Sequence, residues 1–244
     1  MTLTARPWLI VVALLSLLAL SPAHAGMTPQ EVEIFKDAKA WAEKGEAEGQ
    51  LNLGICYTKG EGVAKDDVQA VAWFRKAAVQ GFAPAQTLLG NCYFGGEGVP
   101  KDQALAVTWY RKAAEKGLAE AQYVLGSRYA DGKGVEKDFV QAVKWYRKAS
   151  EQGYVLAQYN LGGCYANGEG VAKDQIEAYA YWNQGTVEYA RKKLAALEKQ
   201  MTAEQIAAGK KRTKELKREL EDKIYENALQ KEFAARIAEK PDRK

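Results

Sequence analysis

The chain has 244 residues, 47% of them hydrophobic and 27% charged, with a formal net charge of +4 at pH 7, so it has ample apolar content to bury a core. Its only histidine, His24, lies in an N-terminal segment that we expect to be removed, and neither Ser127 nor Ser150 begins an S-x-x-K motif. Imidazole-based catalysis, histidine metal sites and the familiar serine hydrolases are therefore excluded for the mature chain.

Residues 1–25 have the pattern of a secretory signal peptide. Arg6 precedes an apolar run over residues 8–20, and Ala23-His24-Ala25 matches a small-x-small cleavage site. The apolar run, about 13 residues, is shorter than the roughly 20 that a membrane-spanning helix needs, so cleavage near Ala25 is favoured over a retained anchor. The sequence thus predicts a mature protein that is periplasmic or secreted.

Residues 26–45 predict a capping helix in front of a repeating region. Thr28-Pro29-Gln30-Glu31 places threonine at the N-cap, proline at N1 and glutamate at N3, which indicates a helix start with a capping box. The helix is expected to end at Gly45, which is in phase with Gly81 of the first repeat. The segment is therefore interpreted as half a unit that covers this repeat.

A unit of 36 residues occurs four times without insertion between residues 46 and 186. One position is glycine in every copy and another is tyrosine: Gly54, Gly90, Gly126 and Gly162, and Tyr57, Tyr93, Tyr129 and Tyr165. A fixed period of roughly 20 to 50 residues is typical of a solenoid, whose units bury their apolar faces by stacking on one another.

Each unit predicts two helices. In the first, Leu53, Gly54 and Tyr57 lie on one stripe, and the recurring glycine indicates a close approach between helices. The second is expected over residues 67–80, with apolar residues at i, i+3, i+4, i+7 and i+8. Glycine then recurs where a left-handed helix C-cap is expected, at Gly81, Gly117 and Gly153.

The stretch G-x-G-V-x-x-D between the paired helices predicts a turn. Gly60 and Gly62 supply backbone freedom, and Val63 is expected to point inward. Aspartate is the predicted N-cap of the second helix in every unit: Asp66, Asp102, Asp138 and Asp174. A glutamine or glutamate three residues later predicts a capping box in three units, with Gln69, Gln141 and Glu177.

The same stretch is a weak candidate for a phosphate or cation site. It recurs in every unit and lacks the lysine spacing of a P-loop, so a phosphate loop is disfavoured. A divalent-ion site along Glu61, Glu97 and Glu169 is also disfavoured, because Lys133 interrupts the row of glutamates. The structural interpretation is preferred for the whole stretch.

The repeating pattern L-G-x-x-Y-x-x-G-x-G-V-x-x-D-x-x-x-A-x-x-W-x-x-x-A-A-x-x-G resembles the Sel1-like repeat, of the tetratricopeptide-like superfamily. The resemblance implies an all-α fold, a right-handed α-solenoid of helical hairpins with capping helices. It also implies an adaptor that holds other proteins, and in exported bacterial members a role in the cell envelope. The fourth copy departs from the pattern at Tyr181, Trp182 and Gly185-Thr186, as expected of a last unit that does not face another repeat.

Cys56, Cys92 and Cys164 occupy a single position of the unit. Equivalent positions in adjacent hairpins are expected roughly 8 to 10 Å apart, whereas a disulfide needs Cα atoms within about 7 Å. We therefore predict three free thiols that pack as small buried hydrophobic groups. Some members of the resembled family staple each hairpin with two cysteines and were described as binding β-lactams, and this chain lacks those pairs.

The residues predicted to bind a partner lie on the first helix of each unit. The resemblance implies that these helices line the concave face of the solenoid, and with Leu53, Gly54 and Tyr57 inward the position of Ile55 points outward. The candidates vary between units while the stripe beneath them repeats: Leu51, Ile55, Thr87, Asn91, Tyr123, Ser127, Tyr159 and Asn160. Their mixed character suits an envelope protein or peptide, and an ordinary solvated helix face stays open as the alternative.

The C-terminal region predicts a closing helix within residues 187–202 and a basic, charged helix within residues 203–244. Thr202-Ala203-Glu204-Gln205 predicts a capping box at the start of the second helix. From residue 186 onward there are 16 Lys and Arg against 11 Asp and Glu, whereas residues 26–185 have 18 against 20. The basic helix is predicted to dock on a partner or a membrane surface, or to be simply solvated, and nucleic acid is disfavoured in an exported protein whose basic run lacks aromatic residues.

The sequence as a whole predicts an exported protein–protein interaction scaffold of the bacterial cell envelope, with no catalytic, cofactor-binding or metal-binding residue. The alternative is a cell-wall-acting enzyme or a carbohydrate- or peptidoglycan-binding module, including a β-lactam-binding role. A lone carboxylate is sufficient for some such enzymes, but no aspartate or glutamate outside the repeating positions stands out as a catalytic group.

Overall fold

The computed structural model describes residues 27–185 and 187–238, and within these ranges there are eleven helices and no strand. The helices are α1 (Pro29–Glu43), α2 (Ala47–Lys59), α3 (Asp67–Val79), α4 (Ala83–Gly95), α5 (Gln103–Glu115), α6 (Ala119–Asp131), α7 (Phe139–Ser150), α8 (Val155–Asn167), α9 (Gln175–Gln184), α10 (Glu188–Glu198) and α11 (Ala203–Ala238). The predicted signal peptide lies outside the described residues. None of the described helices combines the length and the apolarity that crossing a bilayer requires.

The helices belong to two compact units, with α1–α4 in Met1–Lys101 and α5–α11 in Asp102–Lys244. In the first unit each helix packs on the next along the chain, and in the second unit the same order holds from α5 to α10. Paired helices that pack consecutively are the arrangement of a helical repeat protein, because each pair buries its apolar face on the next. The predicted all-α, solenoid-type fold class is confirmed.

The core of the first unit begins under α1. Ala38 and Ala42 of α1 pack with Leu53 and Cys56 of α2, and Val63 packs against this cluster as predicted. All four core residues are nearly inaccessible to solvent. The capping helix therefore buries the apolar face of the first repeat, as expected for half a unit.

The recurring glycine of each first helix permits close packing against an aromatic ring. A Cβ atom at Gly54 would lie 2.5 Å from the ring of Phe74, one at Gly126 2.8 Å from Tyr146, and one at Gly162 2.5 Å from Trp182. Trp182 of the variant fourth repeat thus occupies the packing position that Phe74 and Tyr146 hold in their repeats. The predicted close approach of the paired helices is confirmed.

The G-x-G-V stretch is a packing element. Gly62 has φ +70° and Gly98 has φ +67°, values that favour glycine. A Cβ atom on either residue would collide with a backbone carbonyl in the first turn of an earlier helix, that of Glu31 in α1 or Asp67 in α3. Each turn therefore packs against the N-terminus of a helix one repeat earlier. Because a side chain would collide there, the second glycine recurs.

The helix N-caps are confirmed, but the predicted capping boxes of the repeats are only half formed. In α1 both halves are present, with Glu31 N donating to Thr28 Oγ1 at 3.2 Å and Thr28 N donating to Glu31 Oε2 at 2.6 Å. Asp66 Oδ1 accepts from Val68 N and Gln69 N at 3.0 Å.

The return bond from the third helical residue is not made in the repeats. The N–H groups of Asp66, Asp138 and Asp174 donate instead to the carbonyls of Tyr57, Tyr129 and Tyr165, at 2.9 to 3.0 Å. The predicted return hydrogen bonds, in which the side chains of Gln69, Gln141 and Glu177 accept from the N-cap N–H groups, were therefore wrong. Those N–H groups already donate to carbonyls within the turn.

Two side-chain contacts that the sequence analysis did not predict recur through the repeats. An arginine of each second helix donates from Nη2 to the tyrosine hydroxyl of the next first helix: Arg75 to Tyr93 at 2.6 Å, Arg111 to Tyr129 at 2.9 Å and Arg147 to Tyr165 at 3.0 Å. A lysine ammonium also lies 3.5 to 4.3 Å from a tryptophan ring in Lys76–Trp73, Lys112–Trp109 and Lys148–Trp145. These contacts give a physical reason for the sequence W-x-R-K in the first three repeats.

The N-terminal half of α11 packs on the last repeat, a contact that the sequence analysis left open. A Cβ atom at Gly209 would lie 2.6 Å from the ring of Tyr179 in α9, so glycine permits the helices to touch. Asn183 Nδ2 donates to Thr213 Oγ1 at 3.2 Å. Leu216 is buried in the core cluster of the second unit. The predicted capping box at Thr202 and Gln205 is confirmed.

Candidate binding surface

The first unit has two neighbouring clefts on its repeat helices. Cleft A, about 330 Å³, lies between α1 and α2 and is lined by Ile34, Asp37, Ala38, Trp41, Asn52, Ile55, Cys56 and Glu61. Cleft B, about 390 Å³, lies among α2, α3 and α4 and is lined by Ile55, Thr58, Lys59, Asp67, Ala70, Phe74, Leu88, Asn91, Cys92 and Glu97. The predicted residue Ile55 borders both clefts, and Asn91 lies in cleft B.

The two clefts are successive copies of one feature of the repeat. Residues 36 positions apart take equivalent places in them: Asn52 and Leu88, Ile55 and Asn91, Cys56 and Cys92, and Glu61 and Glu97. The cysteine at the base is therefore the same in both clefts. The less buried positions differ between them, because Asn52 corresponds to Leu88 and Ile55 corresponds to Asn91. Variable side chains over a constant floor are what a repeat protein needs to recognise different parts of one ligand.

Cleft A has two large apolar side chains that are about half exposed to solvent. Trp41 is 51% exposed and Ile34 is 47% exposed, and both lie beside the half-buried Ile55. Exposed apolar side chains that lie together, with polar residues around them, mark interaction sites more often than isolated ones do. Trp41 and Ile34 were not predicted, although the interpretation of α1 as half a unit that covers the first repeat was a signal that could have pointed to this helix.

Carboxylates surround both clefts. Asp37 and Glu61 line cleft A, and Asp67 and Glu97 line cleft B. Lys59 Nζ lies 3.2 Å from Glu61 Oε1 and Lys65 Nζ lies 3.5 Å from Asp67 Oδ2, in exposed ion pairs.

Burial and the nearby carboxylates raise the pKa of the thiols at the base of the clefts. Burial, and then the carboxylates of Glu97 and Asp67, raise the pKa of Cys92 to about 11. Burial, and then the carboxylate of Glu61, also raise the pKa of Cys56. Cys56, Cys92 and Cys164 are buried and unpaired in the structure, which agrees with the prediction of three free thiols.

Two predicted residues of the first unit are less accessible than Ile55. Thr87 is 2% exposed, and its hydroxyl donates to the carbonyl of Ala83 at 3.1 Å. It therefore does not lie on a surface that a partner reaches, because α4 turns this position into the core. Leu51 is half-buried on α2 and lines neither cleft.

Predicted residues of the second unit take part in an aromatic cluster. The ring of Tyr123 packs between those of Tyr146 and Tyr154, with centroids 6.0 and 5.1 Å away. Ser127 accepts from the Tyr146 hydroxyl at 3.2 Å, and Asn160 also bonds this hydroxyl. Burial raises the pKa of Tyr146 to about 12 despite these hydrogen bonds. Tyr123, Ser127 and Asn160 are thus brought together around one buried tyrosine, and they are half-buried.

Tyr159 also has a packing role. Its ring meets Tyr189 edge to face at 4.6 Å, and its carbonyl accepts from the Trp182 indole at 3.0 Å. Tyr159 therefore joins α8 to the closing helix α10. Of the eight predicted residues, Asn91 is exposed, and Ile55, although half-buried, borders both clefts. Those of the second unit are half-buried and take part in packing contacts.

A polar cavity of about 210 Å³ lies in the second unit where α11 meets α7, α8 and α9. Its charged groups largely pair with one another: Arg212 Nε lies 2.7 Å from Glu177 Oε1, and Lys223 Nζ lies 2.8 Å from Glu151 Oε1. The rings of Tyr165 and Tyr181 stack at its wall, 5.7 Å apart. Part of the basic charge of α11 is therefore used within the unit.

Beyond this cavity α11 presents an apolar surface. Ile224, Tyr225, Leu229 and Phe233 are between 47% and 67% exposed. Leu216 and Leu220 precede them on the helix and face the repeats: Leu216 lies in a core cluster with residues of α7, α8 and α9, and Leu220 lies close to Gly153. In the part of the chain that the structure describes, no group of three His, Cys, Asp or Glu side chains is placed to hold a metal ion.

A family model described as Sel1 repeat matches residues 47–82, 83–118, 119–154 and 155–185. Among solved structures, the chain is 36% identical to c5321, a protective antigen of uropathogenic Escherichia coli strains displaying an SLR fold, with a TM-score of 0.71. That likeness covers 80% of this chain and 43% of the Escherichia coli chain, so this chain spans less than half of that protein.

The chain is also 33% identical to a Sel1 repeat protein from Oxalobacter formigenes, with a TM-score of 0.64, covering 76% of this chain and 84% of that one. Among curated proteins none matches the chain. The four matches of the family model take up more than half of the sequence and coincide with the helical pairs described above. The chain therefore belongs to the Sel1 repeat family.

Proposed function

We propose that this protein is an exported adaptor of the bacterial cell envelope that binds a partner protein or peptide through clefts A and B. Sel1 repeat proteins generally mediate protein–protein interaction and are typically non-catalytic scaffolds. The observation that carries the proposal is the exposure of Trp41 and Ile34 in cleft A, next to Ile55, which cleft A shares with the equivalent cleft B. A folded chain gains nothing from leaving a tryptophan half exposed, whereas a partner that covers it removes apolar surface from water.

The envelope location is supported by the pattern of residues 1–25. A charged start, a short apolar run and a small-x-small site are the three parts of a secretory signal. The partner is accordingly expected among exported or envelope proteins. The second half of α11, with Ile224, Tyr225, Leu229 and Phe233 exposed, is a second element for docking on that partner or on the membrane surface.

The cleft proposal is tested by site-specific crosslinking in the native host. A photo-crosslinking residue is placed at position 55 or 91, and at position 72 as the control, because Ala72 is exposed on α3 and lines neither cleft. We expect one protein partner to be captured from positions 55 and 91 and not from position 72. Equal capture at all three positions, or capture only at position 72, contradicts the proposal.

A second measurement separates the adaptor from the alternative of a cell-wall enzyme or binding module. The purified protein is incubated with purified peptidoglycan, and bound protein and soluble products are measured. Retention of the protein on peptidoglycan favours a binding module, and turnover favours an enzyme, since a protein-binding scaffold releases no product. We expect neither retention nor turnover.

A further inference from the structure

The acidic residues of clefts A and B indicate what kind of segment fits them. Asp37 and Glu97 form no ion pair with the side chains that the structure describes, and they line the same clefts as Trp41 and Leu88. Lys59 is the one basic residue among the described lining residues of the two clefts, and it already pairs with Glu61. Both clefts thus combine an apolar floor with uncompensated negative charge.

This combination restricts the chemistry of an occupant. A wholly apolar segment would cover Asp37 and Glu97 without replacing their water, which costs free energy. An acidic segment would add repulsion between like charges. A segment with an apolar side chain for the floor and a basic side chain for the carboxylate satisfies both parts of each cleft.

The fold of the repeat does not require the glutamate of these clefts. The position of Glu61 and Glu97 is Glu169 in the fourth copy but Lys133 in the third. The packing of the turn therefore does not require glutamate there, since the glycines and the N-cap aspartate recur without it. A charge that the fold does not need is available for recognition.

The spacing of the clefts restricts the occupant further. Equivalent positions on neighbouring helices lie roughly 8 to 10 Å apart. In an extended segment of the polyproline II type, which has three residues per turn, side chains three residues apart lie on the same face and are separated by about 9 Å. Such a segment thus delivers one apolar side chain to each cleft when two residues separate them.

We infer that clefts A and B recognise an extended segment of the partner that carries two apolar residues three positions apart, each next to a lysine or arginine. The inference rests on the proposed adaptor function and specifies the chemistry of its partner. The apolar side chains enter beside Trp41 and Leu88, and the basic side chains reach Asp37 and Glu97.

The test uses the full chain and three short synthetic peptides with a fluorescent label. The first has two leucines three positions apart with lysine before each, the second has glutamate in place of both lysines, and the third has serine in place of both leucines. We expect the first peptide to bind at least about tenfold more tightly than the other two, by fluorescence anisotropy, and its affinity to fall as salt is raised. Similar affinities for the lysine and glutamate peptides overturn the inference, as does no binding of the lysine peptide at about 1 mM.

Charge reversal identifies the site. The double variant Asp37→Lys with Glu97→Lys is compared with Glu33→Lys with Glu115→Lys, which makes the same change of net charge at exposed residues outside both clefts. We expect the cleft variant to prefer the glutamate peptide and the control to keep the preference for lysine. An unchanged preference in the cleft variant overturns the inference. If crosslinking from position 55 still captures a partner in that case, the adaptor function stands and only its assigned chemistry fails.

Discussion

At the scale of single residues, glycine has two different roles in this chain. Gly54 lies inside a helix and permits the ring of Phe74 to pack against the backbone, whereas Gly62 lies in a turn with φ +70° and touches the start of α1. Both roles were predictable from recurrence, because one glycine falls on the apolar stripe and the other in the turn. The residue that the second glycine touches was not predictable, since it depends on the packing of helices from successive repeats.

The role of Gly54 predicts a loss of stability on substitution. In Gly54→Ala the new methyl group would lie 2.5 Å from the ring of Phe74, which is buried and has little room to move. We expect the free energy of unfolding to fall by about 1–3 kcal/mol in chemical denaturation, because the gain in helix propensity is smaller than the cost of overpacking.

Gly163→Ala is the matched control for this change. It also lies inside a helix, and nothing is within 4 Å of its new Cβ atom. Here we expect a gain of about 0.5–1 kcal/mol from helix propensity alone. Equal effects of the two substitutions would contradict the packing role of Gly54.

The buried thiol of Cys92 predicts a loss of stability at alkaline pH. Its pKa is raised from an ordinary value of 9.0 to about 11 by burial and then by Glu97 and Asp67, so the folded state holds its proton more tightly than the unfolded state. The protonated thiol therefore contributes to the free energy of unfolding, and this contribution is complete below pH 9 and is lost as pH rises towards 11. In urea denaturation across this range, we expect stability to fall less steeply in Cys92→Ala than in the wild type, and parallel curves would refute the contribution of Cys92.

At the scale of helices, the sequence predicted the start of α11 better than its contacts. The capping box at Thr202 and Gln205 is a local pattern and was read correctly. The packing of α11 on α9 depends on Gly209 against Tyr179 and on Arg212 against Glu177, pairs that are far apart in sequence. A glycine inside an otherwise charged helix was the signal for this contact, because it weakens an isolated helix and needs another reason to be there.

The contact between α11 and α9 predicts unequal roles for two neighbouring basic residues. Arg212 bonds Glu177 at 2.7 Å and Glu219 at 2.8 Å and is 27% exposed, whereas Lys211 is 81% exposed and lies 4.0 Å from Glu215. We expect Arg212→Ala to lower the free energy of unfolding by about 1–3 kcal/mol and to speed amide hydrogen exchange in residues 203–220. Lys211→Ala is expected to change stability by less than about 0.5 kcal/mol. Equal effects of the two variants would show that the α11 contact does not depend on Arg212.

At the scale of the whole molecule, the repeat was predictable and the binding surface only in part. A period of 36 residues fixes where the helices begin and which faces are buried, so the fold class and the caps followed from the sequence. The variable positions were found by the same logic, but their accessibility was not. Thr87 and Ile55 were both placed on the outer face, yet Thr87 is buried while Ile55 borders two clefts. Variable residues do not reveal which of them the neighbouring helix covers, because that depends on side chains of the next repeat.

The proposed export of the protein predicts where the mature chain begins. Cleavage after Ala25 leaves Gly26 and Met27 before the N-cap Thr28, so that α1 starts close to the new amino group. A positive charge there is unfavourable for a helix N-terminus, and Glu31 in the first turn offsets it. Mass spectrometry of the protein from the periplasm or medium is expected to show a chain that starts at Gly26. The variant Ala23→Leu with Ala25→Leu, which removes the small residues of the cleavage site, is expected to keep the full precursor mass, and an unprocessed wild-type chain would contradict the proposed export.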